Sequence, residues 1–181
     1  MQWKNTNKRY GLIAMSLHWL VALIVFGLFT LGLWMTGLDY YHQWYKQGPD
    51  LHKSIGILLF IAVLFRLFWR WFSAVPQALD SHKAWEVRLA HYAHLSLYFL
   101  LLAIMISGYL ISTADGRAID VFNFFSIPAT ITSIANQEDI AGQVHFVLAL
   151  ALIALVMLHV AGALKHQFID RDNTLKRMLG K

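Results

Sequence analysis

Four histidines, His18, His52, His145 and His159, lie in or at the edge of long apolar stretches. An imidazole can ligate a metal, carry a proton or hydrogen-bond between helices. Held in hydrocarbon it is costly, and a functional group by default. His145 and His159 are fourteen residues apart on one apolar run. At about 100° per residue, fourteen helical steps bring a side chain back to within roughly 40° of its starting direction. At about 1.5 Å per residue they separate the two rings by about 21 Å along the axis. One helix therefore presents two imidazoles on one face, near opposite sides of a hydrocarbon core about 30 Å thick.

The rest of the chain must supply the partners. Of its 181 residues 58% are hydrophobic, and the mean hydropathy is +0.52. That is too apolar for an ordinary soluble domain and indicates a polytopic membrane protein. The seven Trp, seven Tyr and twelve Phe suit interfacial belts and lipid-facing rings. The net charge of +5 comes from basic residues gathered at helix ends, so it orients the chain in a membrane and does not signal nucleic acid. Cysteine is absent, which excludes disulfides, thiolate metal sites, iron–sulfur clusters and covalently attached c-type haem. Histidine remains as the main ligand.

Hydropathy predicts a single all-α domain over residues 1–181, an integral membrane four-helix bundle. Its helices cover about 10–37, 49–72, 85–113 and 140–168. The apolar run over 12–38 is too long for the h-region of a cleaved signal peptide, and no lipidation motif is evident. Lys4, Lys8 and Arg9 precede the first helix. Arg66, Arg70, Lys83 and Arg88 surround the second connection, and Lys165, Arg171, Lys176, Arg177 and Lys181 close the fourth helix. The other two connections carry only Lys46 and Arg117. Positive-inside bias then puts both termini in the cytoplasm. The connection over 114–139 is long for a bundle. Its stretch 121–127, with Phe122, Phe124 and Phe125, suits a loop lying on the membrane surface or, alternatively, a lid over a periplasmic site.

Topology assigns depths. His18 and His159 fall on the cytoplasmic side, His52 and His145 on the periplasmic side. Two haems, each held by two of these histidines, is the reading that uses all four. Bis-imidazole iron has no open position and suits electron transfer better than oxygen binding. A single membrane histidine is as readily an interhelical hydrogen-bonding residue; four at matched depths on facing helices are not.

The neighbours agree. Gly56, Gly142 and Gly162 lie near the ligands and leave room for a porphyrin, and Gly32 is level with the periplasmic pair. Small residues also serve plain helix packing. Arg66, fourteen residues after His52, is level with the cytoplasmic pair and could pair with a propionate, with Arg70 one turn on. His91, His94 and Tyr98 form a polar stripe that could line a quinone pocket or proton path, or serve packing. His166, two turns beyond His159, could bond a quinone carbonyl and deliver a proton; interfacial snorkelling of His166 and Lys165 is the plainer role. His42 and His82 lie in connections, where they would be solvated or interfacial.

Several segments together resemble the bacterial cytochrome b561 family: Ser16–Leu20 around His18, Leu51–Gly56 around His52, Leu89–Leu95 around His91 and His94, Gly142–His145, Leu158–Leu164 around His159, and the tail Asp170–Met178. The resemblance spans nearly the whole chain. It implies a four-helix cytochrome of the inner membrane that moves electrons through two haems b, with His18, His52, His145 and His159 as axial ligands and ubiquinone as acceptor. One activity in this family takes the electrons from periplasmic superoxide. A site for superoxide needs an electropositive mouth, for which Lys46 and Arg117 are the cations, amid Asp115, Asp120, Glu138 and Asp139. The rival classes are a cytochrome b membrane anchor fed by a partner dehydrogenase or hydrogenase, and a haem-free proton-coupled transporter. The lack of internal repeats argues against the transporter.

Overall fold

The structure, a computed structural model, describes residues 2–79 and 81–180. Helices α1 (Leu12–Met35), α2 (Gln47–Trp71), α3 (Ala84–Ser112) and α4 (Gln137–Phe168) form a bundle, and all four are long and apolar enough to cross a membrane. A helix satisfies its own backbone in hydrocarbon, so long apolar runs can adopt little else. Between α3 and α4 lies a small antiparallel hairpin, β1 (Ile119–Val121) and β2 (Phe125–Ile127), in the register Ile119 to Ile127 and Val121 to Phe125. A short helix α5 (Thr174–Met178) closes the chain.

Helix starts differ from the sequence expectation for local reasons. α2 begins before Pro49, because proline in the first turn gives up an amide that has no intrahelical partner anyway. α4 begins at Gln137, after Asn136 in a left-handed conformation. Glu138 and Asp139 follow in the first turn, where carboxylates complement the helix dipole. Gln137 is buried, and its Nε2 donates to the carbonyls of Leu110 and Ile131, both at 2.9 Å, tying this start to α3 and the preceding loop.

The described residues near both ends of the chain lie at one end of the bundle. The Trp19 indole donates to the Met178 carbonyl at 2.9 Å, and Arg177 donates to the carbonyls of Gln77 and Lys8 at 2.9 and 2.8 Å. Asn5 donates to the carbonyl of Ala74 at 3.0 Å. The amino-terminal segment, the α2–α3 connection and α5 are thus bonded into one terminal face. The hairpin belongs to the distal face. Ser54 Oγ, one half-turn past His52, donates to the Asp120 carbonyl at 3.2 Å, and Ile119 and Val121 are buried beneath the hairpin. Phe122, Phe124 and Phe125 point outward and are exposed. The 114–139 connection therefore has an inner side fixed on α2 and an aromatic outer side.

Most of the surface of each long helix faces away from the rest of the chain. Only 6 to 17% of the most apolar window of each long helix is buried within the chain. α3 packs closely on α4 and α1 on α2, whereas among the described residues α1 and α4 make only sparse contact. The tight core is a mid-depth cluster of Val21, Val25, Leu59, Val63, Leu101 and Leu152. Leu152 stands midway between His145 and His159, Leu59 and Val63 between His52 and Arg66. This plug divides the bundle into two chambers. Dispersion contacts hold such helices together in lipid. Val63→Ala, at a fully buried position, should therefore lower unfolding stability by about 2 kcal/mol, read as a fall in thermal midpoint in detergent. The same change at Leu64, 45% exposed, should leave that midpoint nearly unmoved.

Candidate functional site

Each chamber contains one pair of half-buried histidines. In the distal chamber α2 supplies His52 and α4 supplies His145, with ring centres 6.2 Å apart. In the chamber at the terminal face α1 supplies His18 and α4 supplies His159, with ring centres 6.4 Å apart. Two imidazoles holding one metal in line, each through a bond of about 2.0 Å and with each ring centre about 1.1 Å behind its bonded nitrogen, have centres about 6.2 Å apart. Direct stacking or hydrogen bonding would draw the rings closer; an edge-to-face contact spans the same range, and both separations also fit a metal between the rings.

The polar contacts of each ring bear on which nitrogen is free. His145 Nδ1 is 3.0 Å from the Ile104 carbonyl and 3.1 Å from Ser107 Oγ. A carbonyl only accepts, so the proton is on Nδ1 and the Nε2 lone pair is left for a ligand bond. His52 Nδ1 is buried with no hydrogen-bond partner. Two glycines let α1 and α3 approach these rings. A Cβ on Gly32 would stand 3.3 Å from His52 Cε1, and one on Gly108 would stand 3.2 Å from His145 Cε1. At Gly56, Gly142 and Gly162 such an atom would meet nothing within 4 Å, so these positions are open.

The chamber at the terminal face is more polar. Arg66 donates from Nε to Tyr98 Oη at 2.9 Å, and its Nη2 is 3.0 Å from His18 Nδ1. A guanidinium only donates, so Nδ1 accepts here. His94 joins the group, its ring centre 5.2 Å from that of His159. Arg70 is exposed, one turn beyond Arg66. His91 is exposed as well, with its ring against Tyr92 at 5.8 Å. Of the α3 stripe, His94 thus meets the His159 ring, Tyr98 bonds Arg66 and His91 turns away. Gly108 and Ser107 carry no signal in the sequence, because they act on a residue 37 and 38 positions away, which no local pattern reveals.

His166 does not line this chamber. Its Nδ1 is 2.8 Å from Asp170 Oδ2 and 3.2 Å from Asp172 Oδ2, and its ring lies 4.5 Å from that of His82. Lys165 pairs with Glu86 and Asp170 at 2.5 and 2.7 Å. Burial raises the Asp172 pKa, but hydrogen bonds from Thr174 and His82 outweigh it and hold the carboxyl below its ordinary value. His82, expected to be solvated or interfacial, is instead only 15% exposed and bonded into this cluster.

A family model described as prokaryotic cytochrome b561 matches residues 9–181. The chain belongs to the prokaryotic cytochrome b561 family. Cytochrome b561 homolog 2 of Escherichia coli (strain K12) is 52% identical over 181 residues, 100% of this chain and 96% of the relative. The probable superoxide oxidase CybB of Yersinia pestis is 27% identical over 97% of this chain and 98% of its own length. Cytochrome b561 homolog 1 of Escherichia coli (strain K12) is 24% identical over 94% and 97%. As a cytochrome b561 this chain is a multi-pass membrane electron-transfer protein that binds b-type haem.

On the distal face Arg117 is bonded to Asp115 at 2.5 Å, so its charge is paired. Lys46 lines a shallow concavity of about 360 Å³ with Tyr40, His42 and Tyr45.

Proposed function

We propose that this cytochrome b561 carries electrons across a bacterial inner membrane between a periplasmic donor and ubiquinone, using two bis-histidine haems b. The observation that carries this reading is the pair of ring separations, 6.2 and 6.4 Å, at opposite ends of a bundle plugged at mid-depth. When bound, each haem would supply an iron that gains and loses one electron.

The chain's own residues do the rest. His52 and His145 hold the distal group, and the Ile104 carbonyl fixes the tautomer and orientation of His145. His18 and His159 hold the other, with Arg66 and Arg70 as propionate partners. Gly56 and Gly162 leave space beside the ligands. The basic residues at the terminal face orient it to the cytoplasm, so the distal face receives the donor. Superoxide is the donor we favour. The relative named as a probable superoxide oxidase supports it, as does Lys46, which adds positive charge to the distal mouth. Quinone is assigned to the cytoplasmic end, where His94 lies against His159, Tyr98 bonds Arg66, and His91 and His166 lie nearer the membrane surface.

Reduced-minus-oxidised spectroscopy on the purified chain tests this. The expected result is a split alpha band, about two haems per chain by pyridine haemochrome, and reduction by added superoxide that ubiquinone reverses. A colourless but folded protein would overturn the haem reading. Haem reducible by dithionite but by neither superoxide nor ubiquinol would overturn the assigned substrates.

A further inference from the structure

Among the described residues outside the paired rings, the densest group of ligating side chains is the cluster at the terminal face. His82 comes from the α2–α3 connection, His166 from the last turn of α4, and Asp170 and Asp172 from the turn before α5. Asp172 Oδ2 lies 3.0 Å from His82 Nε2 and 3.2 Å from His166 Nδ1. Ligand atoms at two corners of a tetrahedron with bonds of about 2.0 Å are about 3.3 Å apart. The two measured edges are close to that length. All three ligand atoms fall within 4.8 Å of one another.

His82 Nε2 is hydrogen-bonded to Asp172 and Thr174, whereas His166 has only charge contacts with the two carboxylates. His166 Nδ1 is buried, and although carboxylate oxygens stand 2.8 and 3.2 Å away, neither is aligned as a hydrogen bond. The group is sheltered, with Asp172 7% and His166 16% exposed. Lys165 neutralises part of the surrounding acid by pairing with Glu86 and Asp170, which leaves the Asp172 carboxylate facing two imidazoles. Two imidazoles and one carboxylate are a borderline donor set that suits zinc-class ions and not calcium or magnesium.

We propose that His82, His166 and Asp172 bind a zinc-class divalent cation, with Asp170 or water at the fourth position. Such an ion would fasten the α2–α3 connection and the carboxyl-terminal turn to the end of α4. This stands apart from the haem reading, because metal binding here is measured without any electron transfer.

The test uses the full-length protein in detergent, stripped with a chelator and titrated with Zn²⁺ against a chromophoric competitor. X-ray absorption at the zinc edge reads the ligands. About one Zn²⁺ per chain with nitrogen and oxygen ligands at about 2.0 Å is expected. Affinity should fall at least about tenfold in His82→Ala and in Asp172→Asn. It should stay unchanged in His42→Ala, an exposed histidine on the other face. His82→Gln keeps a hydrogen-bonding group and guards against loss of fold, which helical circular dichroism checks. Substoichiometric binding to the wild-type chain, or equal affinity in folded His82→Gln and Asp172→Asn, would overturn the site.

Discussion

His52→Ala is expected to cut the haem content of the purified protein from about two per chain to about one, and to stop transfer from the distal face to quinone. The remaining centre should keep its reduced spectrum. Two features predict this selectivity. His145 is fixed by the Ile104 carbonyl and Ser107 on α3, so it holds its position but cannot grip a macrocycle alone. The Val21–Val63–Leu152 plug then separates the emptied chamber from the other. Sites with no shared partners respond independently, and the rings of one pair lie about 21 Å along α4 from those of the other. His159→Ala should give the mirror result, losing the other centre. Haem per chain, the alpha-band difference spectrum and quinone reduction with a donor confined to the distal face read the outcome together. Loss of both haems from a folded His52→Ala protein, or of neither, would refute the pairing.

Arg66→Leu should lower the midpoint potential of the haem at the terminal face by about 90 mV and leave the distal one in place. The guanidinium touches His18 Nδ1 and Tyr98. Once His18 gives its Nε2 to a metal, the neutral ring carries its proton on Nδ1 and can no longer accept from arginine. The guanidinium must then turn to another acceptor, and a propionate is the acid a haem brings. A positive charge near iron favours the reduced state. At roughly 7–8 Å and an effective dielectric of about 20, a unit charge is worth about 2 kcal/mol. That is about 90 mV for a one-electron couple. Arg66→Lys should retain most of the potential because it retains the charge. An optical redox titration that resolves the two alpha bands measures both centres in one sample. An unmoved potential in Arg66→Leu, or a shift confined to the distal centre, would refute the assignment.

The sequence made the four spans legible because each is a long apolar run, and the spacing of His145 and His159 made one helix face legible because helical periodicity is local. The depth of Arg66 followed from the same arithmetic, and the structure brings it to His18. Contacts between segments far apart in the chain were not legible. Ser107 and Gly108 read as ordinary small residues of a membrane helix until α3 is packed on α4 and both meet His145. His82 read as a loop histidine, because its partners Asp172 and Thr174 are 90 and 92 residues away. The hairpin over 119–127 was hidden for a similar reason. Three-residue strands give too short an alternation to read, and their fixing point, Ser54, lies on another helix.

The apolar plug also bears on voltage. Val21, Val25, Leu59, Val63, Leu101 and Leu152 offer no proton-carrying group at mid-depth, which disfavours a proton accompanying an electron between the chambers. Each electron moved on the proposed route is then an uncompensated negative charge carried toward the cytoplasm. Against a membrane at 100 mV, negative inside, that displacement costs about 2.3 kcal/mol. Vesicles holding this protein would build a potential as they turn over, and an ionophore that collapses it would speed them up.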